Sequence, residues 1–385
     1  MNNLQANGWD LSELKHIELL AADLKRYRLE KGDLLFNRTN SKELVGKCEV
    51  FSEEGDWVFA SYLIRVRLDP DRAIPGFVSA FLNSPAGRMQ IDQVSRQVAG
   101  MSNVNSEELR DLMIPLPDLA EQSRLLNELD ACRVKRDRAL VKATQLLSSV
   151  DEVVKQSLGI HSPPRLPHGG YGVRLGAAMS SATLAADYFH PERTGALRVI
   201  QALPNAPLES LVSFERRLDA RSGALRYVGL ASVASNTGQL TDAIESAAGQ
   251  CFKFEATDVL YGRLRPYLNK VWLATFEGVS STEFHVMRVL DPTVLLPAYL
   301  AVVMRTDLIV AQTKHMMTGN THPRITSEDV IKLLIPLASM QKQQEIVSET
   351  ERRQKEATHL KAHAELQWQR ARAHFEQQLL TGEAK

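Results

Sequence analysis

Side chains that can contact a nucleic acid cluster at two places in this sequence, at matching points of a repeated pattern. Asparagine and glutamine can form two hydrogen bonds with adenine, and arginine can form two with guanine, while serine, threonine and lysine commonly hold phosphates. Both places are therefore candidate DNA-contact segments. The candidates are Asn37, Arg38, Thr39, Asn40, Ser41 and Lys42 in the first place, and Arg263, Arg265, Tyr267, Asn269 and Lys270 in the second.

Two glycine-containing polar segments further along the chain, residues 100–105 and 319–324, carry the same kinds of side chain. They offer further groups for base edges and phosphates. The candidates here are Gln97, Ser102 and Asn103 at the first segment, and Lys314, Asn320, Thr321, His322 and Arg324 at the second.

Each candidate segment also has a purely structural interpretation. Residues 37–42 can form a polar turn that caps the following segment. Asn105 or Ser106, and Thr326 or Ser327, precede acidic first turns that favour such residues as helix N-caps. We expect both interpretations to hold for the glycine-containing segments, with capping by their last residues and DNA contact by their first ones.

Catalytic motifs are absent from the sequence, so we predict no catalytic residues. We find no Asn-Pro-Pro-Tyr-type adenine-methylation motif, no G-x-G-x-x-G or G-x-x-x-x-G-K-[ST] loop and no H-E-x-x-H helix. His315 and His322 have no further ligand-type partners at metal spacing, which predicts no metal site. Cys48, Cys132 and Cys251 lie far apart, so neither a zinc site nor a disulfide framework is indicated, and a reduced, cytoplasmic setting fits best.

The bulk composition is that of a globular protein without a dominant charge. The chain has 385 residues, 44% apolar and 24% charged, with a formal net charge of zero. Its length suits two or three domains. If it binds DNA, the basic surface must be local or be supplied by a partner. The sequence shows no signal segment and no run of about 18 apolar residues, so we expect no membrane association.

The candidate segments belong to an internal repeat. The offset is 225 residues between Asp33 and Asp258 and 221 between Pro115 and Pro336, so the copies stay in step and indicate a duplication. Each copy has two predicted strands, a helix-like segment and a closing Ile-Pro-Leu phrase. The matching stretches are GDLLFNR and TDVLYGR, YLIRVRLDP and FHVMRVLDP, PGFVSAFLNSPAGRMQI and PAYLAVVMRTDLIVAQ, and LMIPLP and LLIPLA.

A long charged helix is predicted after each copy, over residues 119–158 and 340–380. The first stretch contains no proline or glycine, and both carry a narrow apolar stripe, broken by Arg136 in the first, that is typical of a helix packed on another helix. Glu121 and Gln122, with Gln343 and Gln344, are expected to fix the junction of domain and helix. The residues predicted to pair the helices are Leu125, Leu129, Cys132, Leu146, Val150 and Val153, and Ile346, Leu360, Trp368 and Phe375.

The predicted fold is a duplicated mixed α/β (α+β) recognition domain, each copy followed by a long helix, with the two helices paired as an antiparallel coiled coil. Gly159 and the turn-rich residues after it end the first helix. The predicted parts are a first domain over 1–117, a helix over 118–159, a linker over 160–172, a second domain over 173–337 and a helix over 338–385.

This layout resembles the specificity subunit of Type I restriction-modification systems. A phrase of the form IPLP-x-x-x-EQ that leads into a long helix is specific to that family, and a related phrase recurs at half-chain spacing. The resemblance covers essentially the whole chain and rests on GDLLFNRTNSKELVG at 32–46, MIPLPDLAEQSRLLNELD at 113–130 and LIPLASMQKQQEIV at 334–347.

The resemblance implies a non-catalytic subunit with two target-recognition domains, each of which reads one half of a bipartite site in double-stranded DNA. The paired helices would set the spacing and dock two adenine-methyltransferase (modification) subunits. Restriction subunits, which are ATP-dependent translocases and nucleases, would complete the assembly. S-adenosylmethionine, ATP and magnesium are then expected on the partner subunits, with no cofactor in this chain.

One departure from the family pattern affects the first copy. Some eighty-five residues separate the end of the linker from Asp258, whereas thirty-two precede Asp33, so about fifty residues of the first domain have no counterpart. A natural truncation, a misassigned start codon or a fragmentary gene would each explain this. We expect an open sheet edge and an incomplete core in the first domain.

Two rival interpretations remain open. A fused methyltransferase or nuclease would need its motifs in this chain, and the sequence leaves no room for them. A structural scaffold would assemble the subunits through its helices, or act as a defective specificity subunit that reads one half-site through the second domain.

Overall fold

The computed structural model describes residues 3–5, 8–11, 14–42, 44–98, 101–160, 170–179, 184–219, 225–247, 249–319 and 321–381, with the backbone alone at 97, 98, 177 and 219. The chain divides into two compact units. The first comprises Met1–Leu140 with Leu360–Lys385, and the second comprises Val141–His359. The domain boundaries derived from the sequence stay a prediction, since each unit takes part of both long helices.

The first half of the chain alternates short strands and helices before a long helical stretch. Its elements are β1 (Leu4–Gln5), β2 (Gly8–Trp9), α1 (Ala21–Tyr27), β3 (Leu34–Asn37), β4 (Thr39–Asn40), β5 (Cys48–Val50), β6 (Leu63–Val66), α2 (Pro75–Leu82), α3 (Pro85–Val94), β7 (Arg96–Val98), β8 (Met101–Asn103), α4 (Ser106–Arg110), α5 (Leu119–Ser148) and α6 (Val150–Ser157).

The second half has the same plan with more strands. Its elements are α7 (Leu175–Met179), α8 (Pro191–Gln201), β9 (Asn205–Pro207), β10 (Val212–Glu215), β11 (Leu218–Asp219), β12 (Tyr227–Val228), β13 (Cys251–Phe254), β14 (Val259–Gly262), β15 (Val271–Leu273), β16 (Gly278–Ser281), β17 (Phe284–Val289), α9 (Pro297–Val303), α10 (Asp307–Thr313), α11 (Ser327–Val330), β18 (Leu334–Pro336) and α12 (Met340–Thr381), with 3-10 turns at Ala186–Phe189, Leu208–Ser210 and Pro266–Leu268.

The repeated segments GDLLFNR and TDVLYGR contain the central strands of two antiparallel sheets. Strand β3 lies between β5 and β6, and β14 lies between β15 and β17. All four residues of β3 and all four of β14 are buried, which explains why they are apolar runs without alternation. The mixed helix and strand content predicted from the sequence is confirmed.

The aspartate near the start of each of these repeated segments has a structural role. Asp33 and Asp258 are buried, and one carboxylate oxygen of each accepts a hydrogen bond from the backbone N–H three residues earlier, at 2.9 and 2.8 Å. Asp33 also pairs with Arg67 at 2.7 Å, and Asp258 with Arg288 at 2.8 Å. Because each arginine lies in or directly after the strand that pairs with the central one, β6 or β17, the ion pair ties the two strands together.

The helix-like segment of each copy is two helices rather than one. In the first copy Ser84 has extended backbone, at φ −74° and ψ 162°, because it precedes Pro85, and α3 begins there. In the second copy Thr306 is extended in the same way, at φ −67° and ψ 152°, before α10.

The two sheets differ at one edge. In the second unit β10 pairs with β17, and β18 pairs with β9. In the first unit β6 is an edge strand, as expected, and residues 112–117 form no strand within the part of the chain that the structure describes. Met113 is 77% exposed and Leu116 is 44% exposed, whereas the matching Leu334 and Leu337 are partly buried against the second core.

The long helices match their predicted extent with one interruption. Helix α12 is continuous, but the first helix breaks at Ser149, whose hydroxyl donates to the Leu146 carbonyl at 2.8 Å. Across this break the buried position becomes Val154 rather than the predicted Val153. No helix within the described ranges is long and apolar enough to cross a membrane.

Within each unit the two long helices run antiparallel. In the first unit Arg124 donates to Gln378 at 2.8 Å, and the Arg136 guanidinium lies 4.6 Å from the ring centre of Trp368. In the second unit Lys142 pairs with Glu356 at 3.4 Å, and Arg353 donates to the Ser149 hydroxyl. Numbers therefore rise along one helix as they fall along the other.

Most predicted pairing residues pack where a long helix meets a domain core. Leu125, Leu129 and Phe375 are buried in the core of the first unit, with Trp368 against it, and Ile346 is buried in the core of the second, with Val150 against it. Cys132, Leu146 and Leu360 are half-buried. Arg136, which breaks the stripe in the sequence, is itself buried because its guanidinium stacks on an indole ring and pairs with Asp137.

A buried glutamine joins each long helix to its domain in the same way. Gln122 and Gln343 are fully buried, and each side-chain amide accepts one hydrogen bond and donates two. Gln122 accepts from Ile74 N and donates to the carbonyls of Arg72 and Pro117, at 2.8–2.9 Å. Gln343 accepts from Leu296 N and donates to the carbonyls of Val294 and Ala338, at 2.9–3.0 Å. The junction role predicted for these two glutamines is confirmed.

Replacing Gln343 should destabilise the second unit. Gln343→Ala leaves three buried backbone groups without their partner, so the free energy of unfolding should fall by about 3 kcal/mol. Urea unfolding followed by tryptophan fluorescence measures this. Gln344 is the adjacent exposed residue, and Gln344→Ala should change the value by less than about 0.5 kcal/mol. Equal midpoints for the two variants would contradict the assignment.

Candidate nucleic-acid interface

Two candidate segments that are far apart in the sequence lie side by side in the first unit. Strand β4 pairs antiparallel with β8, so that Thr39 faces Asn103 and Asn40 faces Ser102. The Thr39 hydroxyl also donates to the Asn103 side-chain oxygen at 3.3 Å. Residues 101–103 of the glycine-containing segment are thus strand β8, which lies between β4 and β7 in a three-stranded sheet.

The two candidate segments of the second unit meet in the same way. Leu264 and Arg324 form a β-bridge, Arg265 N donates to the Pro323 carbonyl at 2.8 Å, and Arg265 Nη2 donates to the Thr321 carbonyl at 3.1 Å. Thr321 and His322 are exposed beside them.

The register of these contacts is the same in both units. Thr39 and Leu264 are equivalent positions of the repeat, and so are Asn103 and Arg324. Each unit bridges its own pair. The next backbone bond is also shared, since Val104 N donates to the carbonyl of Arg38 at 2.9 Å and Ile325 N donates to the carbonyl of Arg263 at 3.0 Å. The two units therefore share the register of a two-segment surface as well as the central strands of their sheets.

An arginine occupies the same position on both surfaces. Arg38 and Arg263 directly follow the central strands β3 and β14, and the side chains are half-buried. Nε of Arg38 and Nε of Arg263 are buried, and neither has a hydrogen-bond partner among the described residues. Buried donors without a partner are rare in native proteins and are one mark of a site that binds something.

Several predicted contact residues serve the interior instead. Asn37 and Ser102 are almost fully buried. Asn269 is buried and donates to Asn236 Oδ1 at 3.0 Å and to the Arg305 carbonyl at 2.7 Å. Lys270 donates to two backbone carbonyls, those of Leu230 and Val233, at 2.7 Å each. Asn269 and Lys270 would have to break these bonds to contact DNA, whereas Asn37 Oδ1 and Ser102 Oγ are buried without a hydrogen-bond partner among the described residues.

The turn between β14 and β15 holds unusual backbone angles. Arg265 has φ 47° and Asn269 has φ 52°, and they flank the 3-10 turn over Pro266–Leu268. Residues other than glycine are uncommon there, and such strain is found at binding sites when the surroundings fix it. Here the bonds of Asn269 fix it, and Tyr267 is left 44% exposed at the tip of the turn.

The capping interpretation is confirmed at one residue in each unit. Asn105 caps α4, where its side-chain oxygen accepts from Glu107 N and Glu108 N, and Glu108 accepts in return from Asn105 N at 2.8 Å. Thr326 caps α11 by accepting from Asp329 N at 3.2 Å. Val104 and Ile325, which directly precede these caps, are fully buried, and DNA contact by the first residues of each segment stays a prediction.

The remaining candidates are spread around these surfaces. Ser41 is half-buried and Lys42 is exposed after β4. The Lys314 ammonium pairs with the Glu192 carboxylate, to which His315 is also hydrogen-bonded at 2.9 Å, and these two bonds lower the pKa of Glu192 to about 2. Sequence reasoning missed Glu192 because it lies more than 120 residues away in the chain. Asn320 and the side chain of Gln97 lie outside the described residues.

Acidic neighbours offset part of the positive charge in the second unit. Arg324 pairs with Glu283 at 2.8 Å, and Arg263 donates to the Thr282 carbonyl at 3.5 Å. Beneath them the buried His285 ring contacts the Ile325 carbonyl at 3.3 Å. Burial, with the nearby charge of Arg263, lowers the pKa of His285 to about 4, so the imidazole is neutral at pH 7.

Comparison with known proteins supports a family. No family model matches the chain. The Type I restriction enzyme EcoKI specificity subunit of Escherichia coli (strain K12) is 24% identical over 161 residues, which cover 41% of this chain and 34% of that protein. The chain is similar to Type I specificity subunits. This confirms the resemblance found in the sequence.

Two further matches have the same description. The putative Type I restriction enzyme MjaX specificity subunit of Methanocaldococcus jannaschii is 26% identical over 126 residues, 31% of this chain and 30% of that protein. The crystal structure of the Type I restriction-modification S subunit from M. genitalium has a TM-score of 0.46 and 11% identity, covering 92% of this chain and 84% of that one. The chain matches about a third of the length of its curated relatives.

Acid should destabilise the second unit through His285. The unfolded chain takes up a proton at a pKa of about 6.5 and the folded chain only at about 4, so the stabilisation present above pH 6.5 is lost as the pH falls towards 4. The loss is at most about 3 kcal/mol. His285→Gln should flatten the pH dependence of the unfolding free energy over this range.

Urea unfolding at a series of pH values measures this slope. His374 is exposed on α12, and His374→Gln should keep the slope of the unchanged chain. If His285→Gln also keeps that slope, the buried imidazole is not the acid-sensitive group.

Proposed function

We propose that this chain is the sequence-specific DNA-binding subunit of a Type I restriction-modification complex and performs no catalysis itself. The observation that carries this proposal is the shared register of the two-segment surface, which bridges Thr39 with Asn103 in one unit and Leu264 with Arg324 in the other. Two equivalent surfaces on one chain suit a bipartite site, in which each surface reads one half. The similarity to specificity subunits supports the same conclusion.

Residues that are the same on the two surfaces and residues that differ suit different kinds of DNA contact. Arg38 and Arg263 are the same residue at the same position, so they suit a contact that does not depend on sequence, namely the phosphate backbone. Equivalent neighbours differ, since Asn40 corresponds to Arg265 and Asn103 corresponds to Arg324. Amides favour adenine and arginines favour guanine, so these positions suit base readout, with a different half-site for each unit.

The long helices suit a spacing and assembly role. Their antiparallel contacts in each unit support pairing as an antiparallel coiled coil, and their outer faces carry exposed charged residues. In the proposed complex two adenine-methyltransferase subunits dock on the helices, and restriction subunits join them. S-adenosylmethionine, ATP and magnesium would then bind to those partner subunits. A net charge of zero fits such a division, because partners can neutralise further phosphates.

A second candidate function is a scaffold that reads one half-site through the second unit alone. The observation that favours it is the difference between the sheets, since strands β9 and β10 have no counterpart among the described residues of the first unit. Met113 and Leu116 are exposed at the positions where the second unit has β18 and the residue after it, with β18 paired with β9.

Mapping methylated adenines distinguishes these candidates. The chain is expressed with its cognate modification subunit, and adenine methylation in the host DNA is sequenced. A motif with two different half-sites and a constant spacer is the expected result. A single half-site, or a palindrome formed by two second units, would assign function to the second unit only. A stable complex that produces no methylation would favour the scaffold function.

The matched arginines give a sharper test of the division of roles. Arg263→Ala should weaken binding to specific and scrambled duplexes alike and lower the slope of log affinity against log salt by about 1. Arg265→Ala should instead relax the preference at one base pair, by about 1–3 kcal/mol. Competition binding by the complex with its modification subunit, at several salt concentrations, measures both.

Arg352 provides the control for charge alone. It lies on α12 in ion pairs with Glu349 and Glu356, outside both candidate segments, so Arg352→Ala should leave the salt slope unchanged. A base-specific loss in Arg263→Ala, or a uniform loss in Arg265→Ala, would reverse the assigned roles. Arg38→Ala repeats the test for the first unit.

A further inference from the structure

The fold of the second unit gathers two histidines and a glutamate that are dispersed in the sequence. His190 caps the N-terminus of α8, Glu192 lies in its first turn, and His315 is the second residue after α10. The His190 and His315 rings are stacked with their centres 3.8 Å apart. His315 Nε2 lies 2.9 Å from Glu192 Oε2, and His190 Nδ1 lies 3.8 Å from the same oxygen.

We propose that His190, Glu192 and His315 form a binding site for a divalent transition-metal ion, with zinc as the expected occupant. Each residue offers one ligand atom, and the three atoms lie within 4.8 Å of one another. The sequence predicted no metal site, because no ligand-type residue is close to His315 along the chain. Helix α8, which packs against α10, supplies the other two ligands from its N-cap and first turn.

The distances suit one shared ion. Zinc lies about 2.0–2.2 Å from nitrogen and oxygen ligands, so two ligands of a tetrahedral ion are roughly 3.4 Å apart. The two separations from Glu192 Oε2, 2.9 and 3.8 Å, lie on either side of that value. Glu192 is exposed and both histidines are half-buried, so the ion has a path from solvent and the side chains have room to adjust.

The hydrogen bonds already aim one lone pair at the site. His190 Nδ1 accepts from Glu192 N at 3.3 Å, so this nitrogen is an acceptor rather than a donor. An ion would take over that lone pair and replace a long hydrogen bond. His315 Nε2 must present a lone pair as well, which places its ring proton on Nδ1. No proton needs to leave the protein, because the imidazole only changes tautomer.

Lys314 is the cation that such an ion must displace. Its ammonium group pairs with the same Glu192 oxygen, and its side chain is 33% exposed, so it can swing into solvent. A divalent ion with two imidazoles and one carboxylate replaces the single positive charge. This donor set favours zinc, copper, nickel or cobalt over calcium and magnesium, which prefer oxygen ligands.

A bound ion would join the start of α8 to the end of α10. Any ligand that binds only the folded state raises its stability by mass action, so zinc should raise the melting temperature. With three protein ligands, a water molecule would complete a tetrahedral zinc site.

Calorimetric titration of the metal-free full chain with zinc chloride tests the proposal. One ion per chain is expected, and the visible spectrum of the cobalt form should show a low-symmetry, four-coordinate ion. His190→Gln, Glu192→Gln and His315→Gln should each weaken binding by more than roughly tenfold. Lys314→Met should tighten binding, because the competing ammonium is gone.

Two controls make the outcome decisive. His374→Gln removes an exposed histidine on α12 and should keep zinc affinity unchanged. Circular dichroism melts without metal verify that each variant is folded before it is titrated. Zinc affinity that is unchanged in both His190→Gln and His315→Gln, or weakened in Lys314→Met, would overturn the site. Absence of zinc binding to the unchanged chain would overturn it as well.

Discussion

The structure depends on one buried amide at the start of each long helix. Gln122 and Gln343 each satisfy three backbone groups of the junction, which would otherwise be buried without partners. The bonds fix where the helix leaves the domain and in which direction. Because the three partners occupy equivalent positions, the two junctions have the same geometry.

The C-terminal part of each long helical stretch also bonds to a helix of a domain. In the first unit Glu376 of α12 accepts a hydrogen bond from Ala86 N at the start of α3. In the second unit Asp151 of α6 accepts from Asp307 N at the start of α10, at 3.0 Å, and Lys155 bridges Asp151 and Asp307 at 2.9 Å each. A carboxylate suits the positive end of a helix. Each unit is thus built from one domain, the start of one long helix and the end of the other.

This arrangement is compatible with the proposed DNA-contact surfaces on a chain of zero net charge. Helix charges pair mainly along the helices, as Arg124 does with Glu121 and Glu128. At the surface of the second unit, Glu283 and Glu192 offset Arg324 and Lys314. In the proposed DNA complex, specificity would therefore rest on geometry and hydrogen bonds more than on a broad basic field.

The sequence by itself determined the repeat, the central strands and the long helices, because these follow from apolar runs and from the absence of helix breakers. It also narrowed each helix cap to two adjacent residues, of which the structure uses Asn105 and Thr326. Only the tertiary structure decided which candidates face outward. Asn269 and Lys270 look like DNA contacts in the sequence, yet they bond inward, since the turn around them needs partners for its carbonyls.

The same limit applies to contacts between distant residues. The sequence could not show that Arg136 stacks on Trp368, or that His190 and Glu192 lie beside His315, because no local pattern encodes which helices pack together. It predicted two contact segments in each copy, and the fold joined them through one strand pairing or bridge at equivalent positions. Periodicity determines elements, whereas packing and hydrogen-bond satisfaction decide which polar side chains remain free.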